Sequence, residues 1–213
     1  GIAQATTRKW RCDWIINNTF LKELNMEAPD DLDSLYEYLK AVKEKYPDAV
    51  PMGVGPWAGD RNAIIRSIMY IFNVTNEWWL YNDDQYLFGP WEKQEEYKAA
   101  LKYTNQLYSE GLIDPAFFSI SAEETNAKIS NNQVGILYGW DDGYGTWGAD
   151  GTWGVDYVPC TPIAGPDGTA YVRGNARMAL QTQYITKNCK DVERALAFYD
   201  YCFSEEGVDL LNW

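Results

Sequence analysis

Between Asp31 and Pro47 the apolar positions Leu32, Leu35, Tyr36, Leu39 and Val42 recur three and four residues apart, with polar residues filling the gaps. That spacing gathers them on one face, so DLDSLYEYLKAVKEKY predicts an amphipathic helix over 31–46. Asp31 supplies an N-cap acceptor and Pro47 closes the segment. The same period returns in 92–110, where Tyr97, Ala100, Leu101, Thr104, Leu107 and Tyr108 form the stripe, acids crowd the first turn and Gly111 follows the end. Residues 122–131 read as a third helix and QVGILYG at 133–139 as an apolar strand. Beyond it come a short strand in VDYVP, a turn-rich stretch at 162–170 containing P-D-G, and strand-like segments at 171–173 and 178–185. A last helix is predicted over 191–203, with Ala195, Leu196, Phe198, Tyr199 and Cys202 as its apolar set. Helices alternating with short strands place the chain in the α/β class.

Composition narrows what such a chain can do. Its 213 residues, 46% hydrophobic and 15% aromatic, suffice for a sizeable core. Eighteen Lys and Arg against 31 Asp and Glu leave a net charge of −13, which repels phosphate backbones, so nucleic acid is not expected as a partner. The chain has no histidine, which removes the commonest general base and every His-ligated metal site. Cys12, Cys160, Cys189 and Cys202 are far apart and form no C-x-x-C pair, so four free or partly buried thiols are expected, with neither a zinc site nor a redox pair. No apolar run approaches the roughly 20 residues of a membrane span, and no cofactor is indicated.

The chemistry concentrates in GWDDGYGTWGADGTWGVDY, residues 139–157, immediately after the apolar strand. Loops that follow strands are where α/β folds tend to place their sites. Its glycines supply backbone freedom, and no phosphate-loop pattern is present. Flat aromatic rings beside carboxylates are the ingredients needed to hold a sugar, whose ring offers C–H faces and a hydroxyl equator. Trp147 and Trp153 sit in a near repeat of GTWG and either face ligand or pack against VDYVP. Asp141 and Asp142 are hydroxyl partners or a solvated acidic turn. Paired acids invite a glycosidase reading, yet sequence neighbours do not flank a glycosidic bond, where two carboxyls stand ~5–10 Å apart. The calcium-loop spacing also fails, at Asp83 and Asp84 and again across Asp141 to Asp150. Neither catalysis nor a metal is therefore expected. Trp78, Trp79 and Trp91 are read as packing between a helix end and a β-ribbon.

Five stretches in order carry a further signal: WRCDWIINNTFLKELNMEAPDDLDSLYEYLKAVKEKYPDAVPM, YKAALKYTNQLYSEGLIDPAFF, AKISNNQVGILYGW, YVPCTPIAGPDG and ITKNCKDVERALAFYDYCFSEEG. Together they resemble the family 1 extracellular solute-binding proteins of ABC importers, in the Gram-positive lipoprotein type similar in layout to maltose-binding protein. The resemblance implies a periplasmic-binding-protein-like (class II) lobe, with helices around a mixed β-sheet. It also implies a carbohydrate ligand, a membrane permease as partner, and attachment to the membrane only through a lipid anchor. It identifies the chain as a piece of such a protein: a crossing strand in 1–11, the C-terminal lobe in 12–172, and a second crossing in 173–213 that leads into the other lobe. Trp140 then matches the aromatic that stacks a sugar in maltose-binding relatives, the alternative being a cap on the core. Trp57, in GVGPWAGDRN, matches a second stacking position or belongs to the core. Arg61 is a donor to hydroxyls or a partner of Asp60, and Arg173 is a donor at the crossing or a plain exposed arginine. Two alternatives remain open: another small solute such as a peptide or polyol on the same fold, and a non-transport carbohydrate-binding module.

Overall fold

The computed structural model describes residues 2–3, 12–55, 63–81, 85–140, 156–171, 182–183 and 185–211. The chain divides into two compact units, Trp10–Ala176 and a smaller one made of Gly1–Lys9 with Arg177–Trp213.

The larger unit is built on a mixed four-stranded sheet. Its strands are β2 (Cys12–Asn17), β3 (Val50–Gly53), β6 (Val134–Trp140) and β7 (Tyr157–Pro159), in the order β3-β6-β2-β7. β3 and β6 run parallel, Met52 opposite Ile136, while β2 is antiparallel to both β6 and β7. A parallel pair requires a crossover. Here that crossover carries helix α3 (Ala63–Ile71), the hairpin β4 (Trp78–Tyr81) with β5 (Gln85–Phe88), helices α4 (Gly89–Glu92) and α5 (Gln94–Ser109), and α6 (Ala122–Ser130). Helices α1 (Asn18–Leu24) and α2 (Leu32–Lys45) join β2 to β3.

Strand alternation divides the core. Trp14, Ile16 and Ile136 pack against Leu35, Tyr38, Leu39 and Val42 of α2 and Ile64, Ile68 and Met69 of α3. Ile15 and Leu137 meet Ile129 of α6 and Tyr157 in a second cluster. The helix predicted over 31–46 is present, and its start is a reciprocal capping box. Asp31 Oδ1 accepts from the Ser34 amide at 2.8 Å, and Ser34 Oγ accepts from the Asp31 amide at 3.1 Å. α6 opens in the same way with Ser121 and Glu124.

Other expectations need correction. The helix read over 92–110 is present as α5, starting two residues later, after Lys93, whose φ of −129° is not helical and separates it from the short α4. Its buried face is Ala100, Thr104 and Leu107, while Leu101 and Tyr108 are exposed because each lies one residue, about 100°, round the helix from that face. Trp91 on α4 sets its ring edge-on to Phe88 of the β4–β5 hairpin at 4.8 Å, the packing of a helix end on a β-ribbon that was expected, while staying 66% exposed; the side chains of Trp78 and Trp79 lie outside the described residues. Trp140 does not follow the strand but ends it, opposite Cys12.

Where β2 passes into α1, Asn17 is completely buried and holds three elements together. Its Oδ1 caps α1 by accepting from the Phe20 amide, and its Nδ2 donates to Asn132 Oδ1 at 2.6 Å and to the Val134 carbonyl at 3.2 Å. Asn17→Ala removes the cap and leaves buried groups unpaired, so a loss of about 1–2 kcal/mol is expected in denaturant unfolding. An unchanged midpoint would show that the node contributes nothing.

Several carboxylates ionise more readily than usual. Ser34 bonds lower the pKa of Asp31, bonds from Ser121 lower that of Glu124, and Lys22, then Asn18, lower that of Asp156. A depressed folded pKa gives stability that is complete above the unfolded value and is lost as pH falls through the folded one. The melting temperature should therefore hold down to about pH 5 and decline below about pH 4, where these groups protonate. A melting temperature that rises on acidification would contradict this.

The smaller unit pairs β1 (Ile2–Ala3) antiparallel with β8 (Thr182–Gln183). It also carries α7 (Val192–Cys202) and α8 (Glu205–Leu211). α7 occupies the segment predicted as a helix, but it buries no residue: Leu196 is 43% and Phe198 60% exposed. Cys189 and Cys202 are free, half-buried thiols, and the buried Cys160 thiol donates to the Pro29 carbonyl at 3.3 Å. The Cys12 side chain lies outside the described residues.

Candidate functional site

Three strand ends lie side by side at one end of the four-stranded sheet. β3 and β6 are parallel, so the chain leaves both at the same end, past Gly55 towards 56–62 and past Trp140 towards 141–155. β2 runs the other way and enters there, with Cys12 opposite Trp140. The carboxyl ends of parallel strands are where open α/β sheets place ligands, because the backbone turns away and leaves a crevice.

Aromatic rings gather among the described residues at this end. Tyr138, two positions before Trp140, stands opposite Trp14 of β2, with ring centroids 5.2 Å apart in an edge-on arrangement. Tyr70 of α3 meets Tyr138 from the helix side at 6.0 Å and 45°. Trp14 is buried, while Tyr70 and Tyr138 are each half-buried. The segment leaving β3 passes close to β6: a Cβ built on Gly55 would stand 2.5 Å from the Tyr138 carbonyl oxygen, so only glycine fits. Ile113 lies alongside Met52 and extends the sheet beyond β3. Next to it Asp114, the one buried charged side chain among the described residues, has both oxygens engaged, by Lys128 Nζ at 2.6 Å and the Ala116 amide at 2.9 Å. Its role is to tie α6 to the sheet edge.

Of the expected site residues, the structure places Trp140 by its backbone, at the end of β6. Trp57, Arg61, Asp141, Asp142, Trp147, Trp153 and Arg173 lie outside the described residues. Tyr70, Tyr138 and Trp14 were not singled out from sequence. For Tyr138 the signal was present, because period-two alternation in LYGW sets it on the same strand face as Trp140. Among the described residues no group of three or more His, Cys, Asp or Glu is placed to hold a metal ion, and no helix is long and apolar enough to cross a membrane.

Comparison with known proteins sets this sheet end in context. The fructooligosaccharide ABC transporter substrate-binding protein FusA of Streptococcus pneumoniae serotype 4 (strain ATCC BAA-334 / TIGR4) is 27% identical over 212 residues, covering 93% of this chain and 37% of its own length. Lipoprotein LipO of Bacillus subtilis (strain 168) is 31% identical over 134 residues, 60% of this chain and 26% of its own. The crystal structure of the alginate-binding protein AlgQ2 without calcium superposes with a TM-score of 0.73 at 21% identity, over 97% of this chain and 44% of that one, which shows a shared fold. The chain thus spans well under half the length of these relatives. The family model described as bacterial extracellular solute-binding protein matches residues 11–209, nearly the whole chain. By that match this chain belongs to the bacterial extracellular solute-binding proteins.

Proposed function

We propose that this chain supplies a sugar-binding surface to an extracellular receptor that delivers an oligosaccharide to an ABC importer, without breaking a bond. The observation that carries the proposal is that the parallel neighbours β3 and β6 end at the same end of the sheet; in sequence Trp57 and Arg61 follow β3, and Asp141, Asp142, Trp147 and Trp153 follow Trp140 at the end of β6. Aromatic faces there take the C–H side of a sugar, while the carboxylates and the guanidinium bond its hydroxyls. The similarity to a fructooligosaccharide substrate-binding protein supports a carbohydrate, and the similarity to a lipoprotein supports a lipid anchor as the tether to the cell surface. Residues 12–172 serve as the C-terminal lobe, with 1–11 and 173–213, including Arg173, leading to the other. The permease is the partner, and ligand acts by shifting an equilibrium between open and closed receptor.

A tryptophan-fluorescence titration tests this on the 213-residue chain and on the full-length gene product, against mono- and oligosaccharides that include fructooligosaccharides. Saturable binding of an oligosaccharide by the full-length product, weaker in the chain alone, is the expected result. No response to any sugar would remove the carbohydrate assignment, and equal affinity in both would make the chain a self-sufficient carbohydrate-binding module.

A further inference from the structure

Membership of the family leaves open whether the saccharide is neutral or carries carboxylates, because a fold does not fix its ligand. The distribution of charge bears on that choice. The chain carries 31 Asp and Glu against 18 Lys and Arg, a net charge of −13. The imbalance extends to the segments that follow the strand ends. Residues 141–155 contain Asp141, Asp142 and Asp150 and no Lys or Arg, and in 56–62 the one basic residue, Arg61, stands next to Asp60. The crossover from β3 to β6 adds little positive charge to offset this. Among its described residues, Arg66 in the first turn of α3 pairs with Glu77 at 2.6 Å, Lys93 with Glu96 at 3.8 Å, Lys98 with Glu95 at 2.8 Å, and Lys128 with the buried Asp114 at 2.6 Å. Lys22 likewise holds Asp156 at the other end of the sheet. A carboxylate on a bound sugar gives up its water and needs a charged partner in return, best the planar fork of an arginine; beside other anions its desolvation goes uncompensated. A hydroxyl brings its own donor, which an aspartate accepts.

We infer that the site takes neutral saccharides and rejects those whose rings bear carboxylates, such as uronic-acid oligomers. This rests on the carbohydrate assignment above and narrows it to one charge class. Asp141, Asp142 and Asp150 carry the discrimination: they accept from hydroxyls and repel an anionic ring.

Isothermal titration calorimetry on the full-length gene product compares two neutral trisaccharides, kestose and maltotriose, with trigalacturonate. A neutral one should bind about a hundredfold more tightly than the uronate. That trisaccharide is then oxidised at its primary hydroxyls to carboxylates, which changes its charge with little change of shape. Oxidation should weaken binding to the wild type about a hundredfold at about 20 mM salt, and the loss should shrink about threefold at about 200 mM. In the Asp141→Asn/Asp142→Asn/Asp150→Asn triple variant the loss on oxidation should be only about tenfold. The inference is overturned if trigalacturonate binds as tightly as the neutral trisaccharides, or if oxidation weakens binding equally in the wild type and the triple variant. If no saccharide of either class binds, the carbohydrate assignment falls and takes the inference with it. Should the triple variant fail to fold, the salt series decides, and a loss on oxidation that salt does not change overturns the inference.

Discussion

Gly135→Ala should destabilise the protein by about 3 kcal/mol, the upper part of the range for overpacking. A Cβ at that position would stand 2.6 Å from the Pro51 carbonyl oxygen and 3.3 Å from Val42 Cγ1. Neither neighbour is able to withdraw. Pro51 lies between Val50 and Met52, both paired with β6, and Val42 is completely buried on α2. The Gly135 carbonyl also accepts from the Tyr38 hydroxyl at 3.0 Å, so moving β6 away breaks a buried hydrogen bond and leaves that hydroxyl unpaired. Urea unfolding followed by far-UV circular dichroism reads the effect directly. A midpoint within error of the wild type would show that β3 and β6 relax apart at no cost.

For Trp140→Ala the effect should fall on affinity: a loss of roughly a hundredfold for the oligosaccharide ligand, about 3 kcal/mol. Central aromatic platforms carry a disproportionate share of binding energy because they exclude water over a large flat area. The substitution falls at the last residue of β6, whose backbone pairing with Cys12 does not depend on the side chain. The melting temperature of the same variant separates a lost ligand contact from a folding cost. Fluorescence is unsuited here because the variant removes a reporter, and calorimetry gives the dissociation constant independently. A variant that binds sugar as tightly as the wild type would make Trp140 a packing residue.

How far the fold could be read in advance depended on the physical origin of each element. α2 was legible because its cap, stripe and stop all agree, from Asp31 through Val42 to Pro47. α3 was not read, although Ile64, Ile68 and Ile71, three and four residues apart, are buried and Arg66 and Tyr70 between them are half-buried; that period is confined to nine residues. α1 escaped because its seven residues are organised by Asn17, whose partners Asn132 and Val134 are distant in sequence. The second long helix was legible to within two residues, since α5 fills 94–109, but the short α4 before it was not. The glycine that begins α4 is set by a tertiary contact, since a Cβ there would meet the Thr75 carbonyl at 2.0 Å. At the candidate site, Trp140 was singled out through the family resemblance, and the structure places its backbone at the end of β6. Tyr70 could not be found in the same way, because its approach to Tyr138 exists only once α3 has crossed the sheet.

The placement of β7 bears on how such a receptor changes its ligand over generations. The chain leaves the sheet at Trp140 and rejoins it at the opposite end, where the Asn18 amide donates to the Asp156 carbonyl, Lys22 and Asn18 hold the Asp156 carboxylate, and Tyr157 stands opposite Asn17. The two anchor points are separated by the six residues of β2, about 20 Å, a distance that about six extended residues cover. Residues 141–155 therefore include a surplus beyond what the crossing needs. Insertions, deletions and exchanges there leave both anchor points, and hence the register of every strand, untouched. Under the function proposed above, selection can remodel ligand preference in that segment at little risk to folding, so lineages adapting to new sugars should diverge there first.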